Sequence, residues 1–144
     1  MRLWHYALIP VLPNKMLVSQ WRECIAIKRQ WEKGTLRHRL VSYVAEYNKG
    51  YFYRYVWDIV EEMKKRNIKF QIKYLNEISI FTDGCQIASI NQHYLTHNDR
   101  YLKQCYFNLQ EKYDRGIISE EEWSPIEEFM NKFNKEKSAE NNDE

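Results

Sequence analysis

Residues 51–66 read YFYRYVWDIVEEMKKR, and their apolar positions decide the fold. Phe52, Tyr55, Val56, Ile59, Val60 and Met63 recur at three- and four-residue steps. That spacing lines them along one face of an α-helix, whereas a strand would alternate them across two faces. The opposite face carries Glu61 with Lys65 and Glu62 with Arg66, both favourable i, i+4 pairs. A helix over 51–66 with one buried face is expected.

The stretch upstream, NKMLVSQWRECIAIKRQWEKG at 14–34, repeats the pattern with Leu17, Val18, Trp21, Cys24, Ile25 and Ile27 inward. Asn14 after Pro13 suits an N-cap, and Gly34 a C-terminal stop. Residues 35–48, TLRHRLVSYVAEYN, read as a short helix. Downstream, 68–94 has no clear period, and Thr82-Asp83-Gly84 reads as a turn. A third long helix is expected over Asn98–Arg115, with Leu102, Cys105, Tyr106, Leu109 and Tyr113 inward and Gly116 at its end. Ser124-Pro125-Ile126-Glu127 has the signature of a helix start, followed by an apolar face of Ile126, Phe129, Met130 and Phe133. The opening segment, interrupted by Pro10 and Pro13, reads as an extended, ordered lead-in. The fold class is therefore all-α: a single helical domain over 1–134, with a disordered acidic tail over 135–144.

Charge is unevenly spread. Residues 1–70 hold 14 Lys and Arg against 6 Asp and Glu (+8), residues 71–118 hold 5 and 5, and residues 119–144 hold 3 and 9 (−6). A basic body thus precedes an acidic end, which suits an anionic partner for the body. Cys24, Cys85 and Cys105 share no metal-like spacing, and Cys24 and Cys105 fall on apolar helical faces, as buried free thiols do. With no apolar run of signal-peptide or membrane-span type, a cytoplasmic protein is expected. His5, His38, His93 and His97 are scattered, so no metal site is indicated. Phosphate-binding loops, nucleophile elbows and kinase signatures are all missing from the sequence.

What remains is the start of the chain. An α-amine titrates at about 7.7–8.0 against about 10.4 for lysine, so near neutrality a far larger fraction of it is nucleophilic. Glu23 has Ser19, Gln20, Ala26 and Ile27 as its three- and four-residue helical neighbours, hence no cation of its own helix beside it. Lys15, Ser19, Arg22, Ala26, Arg29 and Lys33 follow one another along the same helix as a largely cationic stripe. A carboxylate there serves either as an ordinary surface residue or as a stabiliser of positive charge on a sugar whose phosphates lie on Arg22, Arg29 and Lys33. Spacing leaves both open. Arg37-His38-Arg39 is a second basic group, fitting a phosphate contact or a solvated turn, and Lys64-Lys65-Arg66 reads as a charge cluster complementing a helix C-terminus. Trp4 and Trp21 have apolar surroundings, favouring core packing over stacking in a duplex.

MRLWHYALIPVLP, the WRE of the first helix, RHRLVSYVAEY, EEMKKR and HNDRYLKQCYFNLQEKYDRG, taken in order, resemble the pyrimidine-dimer DNA glycosylases, the bacteriophage endonuclease V type and its bacterial relatives. The resemblance implies a compact all-α fold whose N-terminal segment threads between helices toward DNA. It implies a cofactor-free repair enzyme acting, as a monomer, on UV-damaged duplex DNA, with abasic-site lyase activity. Met1 would supply the amine that forms an imine with deoxyribose C1′, and Glu23 would assist sugar opening and proton transfer. Arg2, Lys15, Arg22, Arg29, Lys33, Arg37, His38, Arg39 and Lys112 would contact DNA. Two regions depart from the family pattern. At the start, where the phage enzyme loses its initiator methionine and a small residue supplies the amine, this sequence has the bulky Arg2, which protects Met1 from removal. At the far end the aromatic C-terminal segment is replaced by an acidic helix around Trp123, and a basic position one turn before Lys112 is Asn108. The competing expectation is a non-catalytic helical module that binds nucleic acid or an acidic protein.

Overall fold

The computed structural model describes residues 1–82 and 92–142, and these form helices with no strand among them. Five α-helices follow in order: α1 (Asn14–Lys33), α2 (Lys49–Lys65), α3 (Ile72–Phe81), α4 (Asp99–Asp114) and α5 (Glu120–Asn142). Two 3-10 helices, Tyr6–Val11 and Ser42–Glu46, complete the set. Of the expected turn at Thr82-Asp83-Gly84, Thr82 caps the end of α3, while Asp83, Gly84 and Cys85 lie outside the described residues.

Two apolar clusters organise the helices. Leu17, Trp21, Cys24 and Ile27 of α1 pack with the whole expected face of α2, from Phe52 to Met63, and with Leu75 and Ile78 of α3. Leu102, Cys105 and Leu109 of α4 pack with Trp123, Ile126 and Met130 of α5. The first twelve residues join the two. Leu3 and Ile9 bury in the first cluster, while Trp4, Leu8 and Leu12 bury in the second. The opening segment therefore threads through the interior and cannot be released without exposing apolar surface on both sides. It is extended only through His5, whose Nδ1 accepts from the Ala7 amide at 3.1 Å and so caps the first 3-10 helix.

Gly34 and Gly116 both adopt positive φ, at 73° and 77°, and end α1 and α4 as expected. Other expectations need correction. Pro13, not Asn14, occupies the cap position of α1, and the Asn14 side chain instead accepts from Arg66. Residues 35–48 form only the 3-10 turn Ser42–Glu46, since the aromatic and β-branched residues there are fixed by long-range packing against Tyr94 and His97. Glu61 pairs with Lys64 at 3.4 Å in place of Lys65, whereas Glu62 pairs with Arg66 at 3.4 Å.

The last helix begins earlier than its Ser-Pro signature suggests. Ser119 and Glu122 form a reciprocal capping box: the Ser119 amide donates to the Glu122 carboxylate at 2.9 Å and the Glu122 amide to Ser119 Oγ at 3.2 Å. Starting there brings Trp123 onto α5, where it stacks on Tyr113 and lies beside Tyr106. Pro125 becomes an interior residue, exposed to water that can satisfy the carbonyl it leaves unpaired. The chain expected to lose order at Lys135 stays helical to Asn142, and Lys137 reaches Asp99 of α4 at 3.1 Å. Cys24 and Cys105 are buried free thiols.

Candidate active site at the chain start

α1 presents Gln20, Arg22 and Glu23 toward three different surroundings. Gln20 is buried, Arg22 is exposed, and Glu23 is half-buried between them. The Gln20 carboxamide is the hub of the site. Its Oε1 accepts from the Trp4 amide at 2.8 Å and from the Tyr55 hydroxyl at 3.0 Å. Its Nε2 donates to the Arg2 carbonyl at 2.9 Å and to Glu23 Oε2 at 2.8 Å. Tyr55, from α2, also donates to the Trp4 carbonyl at 2.6 Å, and Tyr101, from α4, donates to the Leu3 carbonyl. Three helices thus hold residues 2–4 by their backbone, and the residue before them, Met1, emerges 38% exposed.

Beneath this segment lies a nest of aromatic rings. His97 Nδ1 accepts the Tyr6 amide at 3.3 Å, so its Nε2 carries the proton and donates to the Tyr43 hydroxyl, 2.7 Å away. Burial pushes His97 down to about 3, with the neighbouring His5 and His93 adding to the shift. His5 is pushed down to about 4, again chiefly by burial, partly offset by backbone hydrogen bonding at His97. Both rings are neutral at pH 7. The Tyr43 and Tyr101 hydroxyls are pushed up by burial, so both stay protonated, Tyr43 accepting from His97 and Tyr101 donating to the Leu3 carbonyl. His93 stacks on Tyr6 with centroids 3.6 Å apart. His5, His93 and His97, scattered in sequence, are therefore gathered in space as packed rings, whereas His38 stays apart; no metal-binding cluster of His, Cys, Asp or Glu occurs among the described residues.

The fold separates the expected DNA contacts into free and tethered groups. The Arg2 backbone and Glu23 are joined through Gln20, with the Arg2 guanidinium 6.0 Å from the Tyr101 ring centroid and Met1 preceding them at the surface. Arg22 and Lys33 are exposed and form no ion pair among the described residues. Arg29, on the same stripe, pairs with Glu77 of α3 at 3.5 Å, and Lys15 binds Glu122 at 3.7 Å and the Ile117 carbonyl. The stripe is thus pinned at two of its four cations. Arg37, His38 and Arg39 stand exposed on the turn before the second 3-10 helix, and Lys112 sits half-buried in the last turn of α4. Trp4 and Trp21 are core residues. Arg66, expected to complement the α2 dipole, reaches away to the carbonyls of Ile9, Pro10 and Leu12.

Gln20, Tyr55 and Tyr101 escaped the sequence reading. A glutamine on the apolar side of an otherwise amphipathic helix was the one available signal. The arrangement defines a class: an all-helical protein that buries residues 3–5 and ties its chain start, through one glutamine, to a helix carboxylate on a helix that also carries exposed cations. The family pattern of pyrimidine dimer DNA glycosylases matches residues 1–76, more than half of the chain and including every group of this hub except Tyr101. The chain belongs to that family. Neither the curated proteins nor the solved structures contain a match. No helix among the described residues is long and apolar enough to cross a membrane.

Proposed function

We propose that this glycosylase excises pyrimidine dimers from duplex DNA by an imine mechanism that also cleaves abasic sites. The unprotonated Met1 amine attacks C1′ of the damaged nucleotide, and the glycosidic C1′–N bond breaks with its electron pair leaving on the base. Loss of an amine proton and opening of the C1′–O4′ bond give the iminium. A C2′ proton is then removed to give the C1′=C2′ enamine, whose electron pair forms C2′=C3′ and restores the C1′ iminium as the C3′–O bond breaks and the 3′-phosphate departs with that bond's pair. Water finally releases the sugar fragment and regenerates the amine. Glu23 stabilises the positive charge that develops on the ring and accepts and returns protons within the site.

One observation carries this reading: a single carboxamide, that of Gln20, hydrogen-bonds both the Arg2 carbonyl and Glu23, so the chain start and the carboxylate share one anchor. Arg2 and Arg22, beside it, hold the flanking phosphates, with Lys33, Arg37, His38, Arg39 and Lys112 contributing along the duplex and Arg29 and Lys15 contributing less because each already has an acidic partner. The damaged nucleotide must leave the stack to reach the amine, an expense that a distorted lesion lowers. The protein acts as a monomer without cofactor in the cytoplasm.

Borohydride reduction during incubation with dimer-containing and abasic duplexes tests this. A covalent protein–DNA adduct that vanishes in Glu23→Gln is expected. If neither duplex gives an adduct, the protein is a DNA-binding module and not an imine-forming enzyme.

A further inference from the structure

The Gln20 amide cannot be turned round. Oε1 faces two donors, the Trp4 N–H and the Tyr55 O–H, and Nε2 faces two acceptors, the Arg2 carbonyl and Glu23 Oε2. A flip would set the amino group against the Trp4 N–H and oppose Oε1 to both acceptors, leaving buried groups unpaired at a side chain only 1% exposed. All four hydrogen-bonding positions of the amide are used. Two of them fix the backbone on either side of Leu3, at the Arg2 carbonyl and the Trp4 amide, and one fixes a single oxygen of Glu23. The remaining Glu23 oxygen, Oε1, accepts no hydrogen bond among the described residues.

We propose that Gln20 is the positioning residue of the reaction: it occupies Glu23 Oε2, aims Oε1 at the amine and sugar, and locks the approach of Met1 to the same amide. This rests on the imine reading of the site. Gln20 touches neither substrate nor reacting atoms. Its effect is on the relative placement of two groups that come from different segments, where a displacement of about 1 Å can cost two orders of magnitude in rate. It also contributes a neutral donor beside Glu23, where an acidic side chain would place a second carboxylate within hydrogen-bond distance.

Two variants separate positioning from mere packing. Gln20→Met preserves length and apolar volume but removes all four hydrogen bonds, and Gln20→Glu keeps an acceptor toward Trp4 and Tyr55 while setting a carboxylate oxygen against Glu23. Single-turnover adduct formation on an abasic duplex under borohydride, read from pH 5 to pH 9 and alongside the thermal midpoint, gives the measurement. Gln20→Met is expected to slow trapping at least tenfold with the DNA dissociation constant within twofold of wild type. Gln20→Glu is expected to move the acid limb of the rate profile to higher pH, a displacement that loss of packing does not produce. Wild-type rates and an unmoved profile in both variants, at temperatures where they are folded, would overturn the positioning role while leaving the imine reading intact. Absence of an adduct from wild-type protein would overturn both, and a variant that does not fold is replaced by Gln20→Asn, expected to trap slowly with unchanged pH limbs and predicted not to reach Glu23; a wild-type rate there overturns the proposal.

Discussion

His97 and Tyr6 are joined through the Tyr6 amide, which donates to His97 Nδ1 at 3.3 Å across 91 residues of sequence. The bond requires a neutral ring, and burial holds His97 at about 3 and the adjoining His5 at about 4. In the unfolded chain both titrate near 6.5. As pH falls below 6.5 the unfolded state binds protons that the folded state refuses, so stability is full above that value and is lost progressively down to about 4 for His5 and about 3 for His97. At pH 5 the loss is at most about 2 kcal/mol for each ring, less to the extent that they are coupled. Urea unfolding midpoints at pH 7.5 and pH 5 should show the fall, and His97→Gln should have a smaller pH dependence together with a lower midpoint at pH 7.5. Equal slopes in both proteins would contradict it.

Arg66 clamps the opening segment from α2. Its guanidinium donates to the carbonyls of Leu12 at 2.6 Å, Pro10 at 3.0 Å and Ile9 at 3.3 Å, and to Asn14 Oδ1 at 2.9 Å. These carbonyls lie at the end of the first 3-10 helix, where Ile9 also accepts from the Leu12 amide at 3.4 Å. Arg66→Ala should cost about 1–3 kcal/mol, from lost charge-assisted hydrogen bonds partly replaced by water. Arg66→Lys should recover only part of this, because an ammonium cannot span four acceptors in a plane. Chemical denaturation of the three proteins measures the ranking.

Arg22 and Arg29 stand on one stripe but in different states, the first unpaired among the described residues and the second against Glu77. Replacing Arg22 with Glu should lower the slope of log affinity against log salt by about one, while Arg29→Glu should change it less. Fluorescence anisotropy on a duplex across a salt series reads the slopes directly. Equal losses, or none at Arg22, would remove this stripe from the DNA face.

The sequence displayed its helices through periodicity and its helix ends through glycine. All six apolar positions cited for α2 are buried, and Gly34 and Gly116 sit where the left-handed turns are. The start of α5 was ambiguous for a physical reason: Ser119 with Glu122, and Ser124 with Glu127, have the same spacing, and only the burial of Trp123 against Tyr113 and Tyr106 decides between them. Glu23 and the cations were legible as residue types. The link of Glu23 to the chain start was not, because although Gln20 lies only three residues from Glu23, its bond to Trp4 and the bonds of Tyr55 to Trp4 and Gln20 span 16 to 51 residues. The histidines show the same limit, being distant in sequence and neighbours in the aromatic nest.

The proposed nucleophile is the first nitrogen of the chain, and mapping the reduced adduct identifies it. After borohydride trapping on an abasic duplex and digestion of the DNA, the sugar remnant should be found on the α-amine of Met1, in protein whose intact mass shows Met1 retained and unmodified. Blocking that amine by acetylation, or extending the chain by one residue, should abolish trapping and leave duplex binding in place. A remnant carried by a lysine, or undiminished trapping by the acetylated protein, would contradict the account.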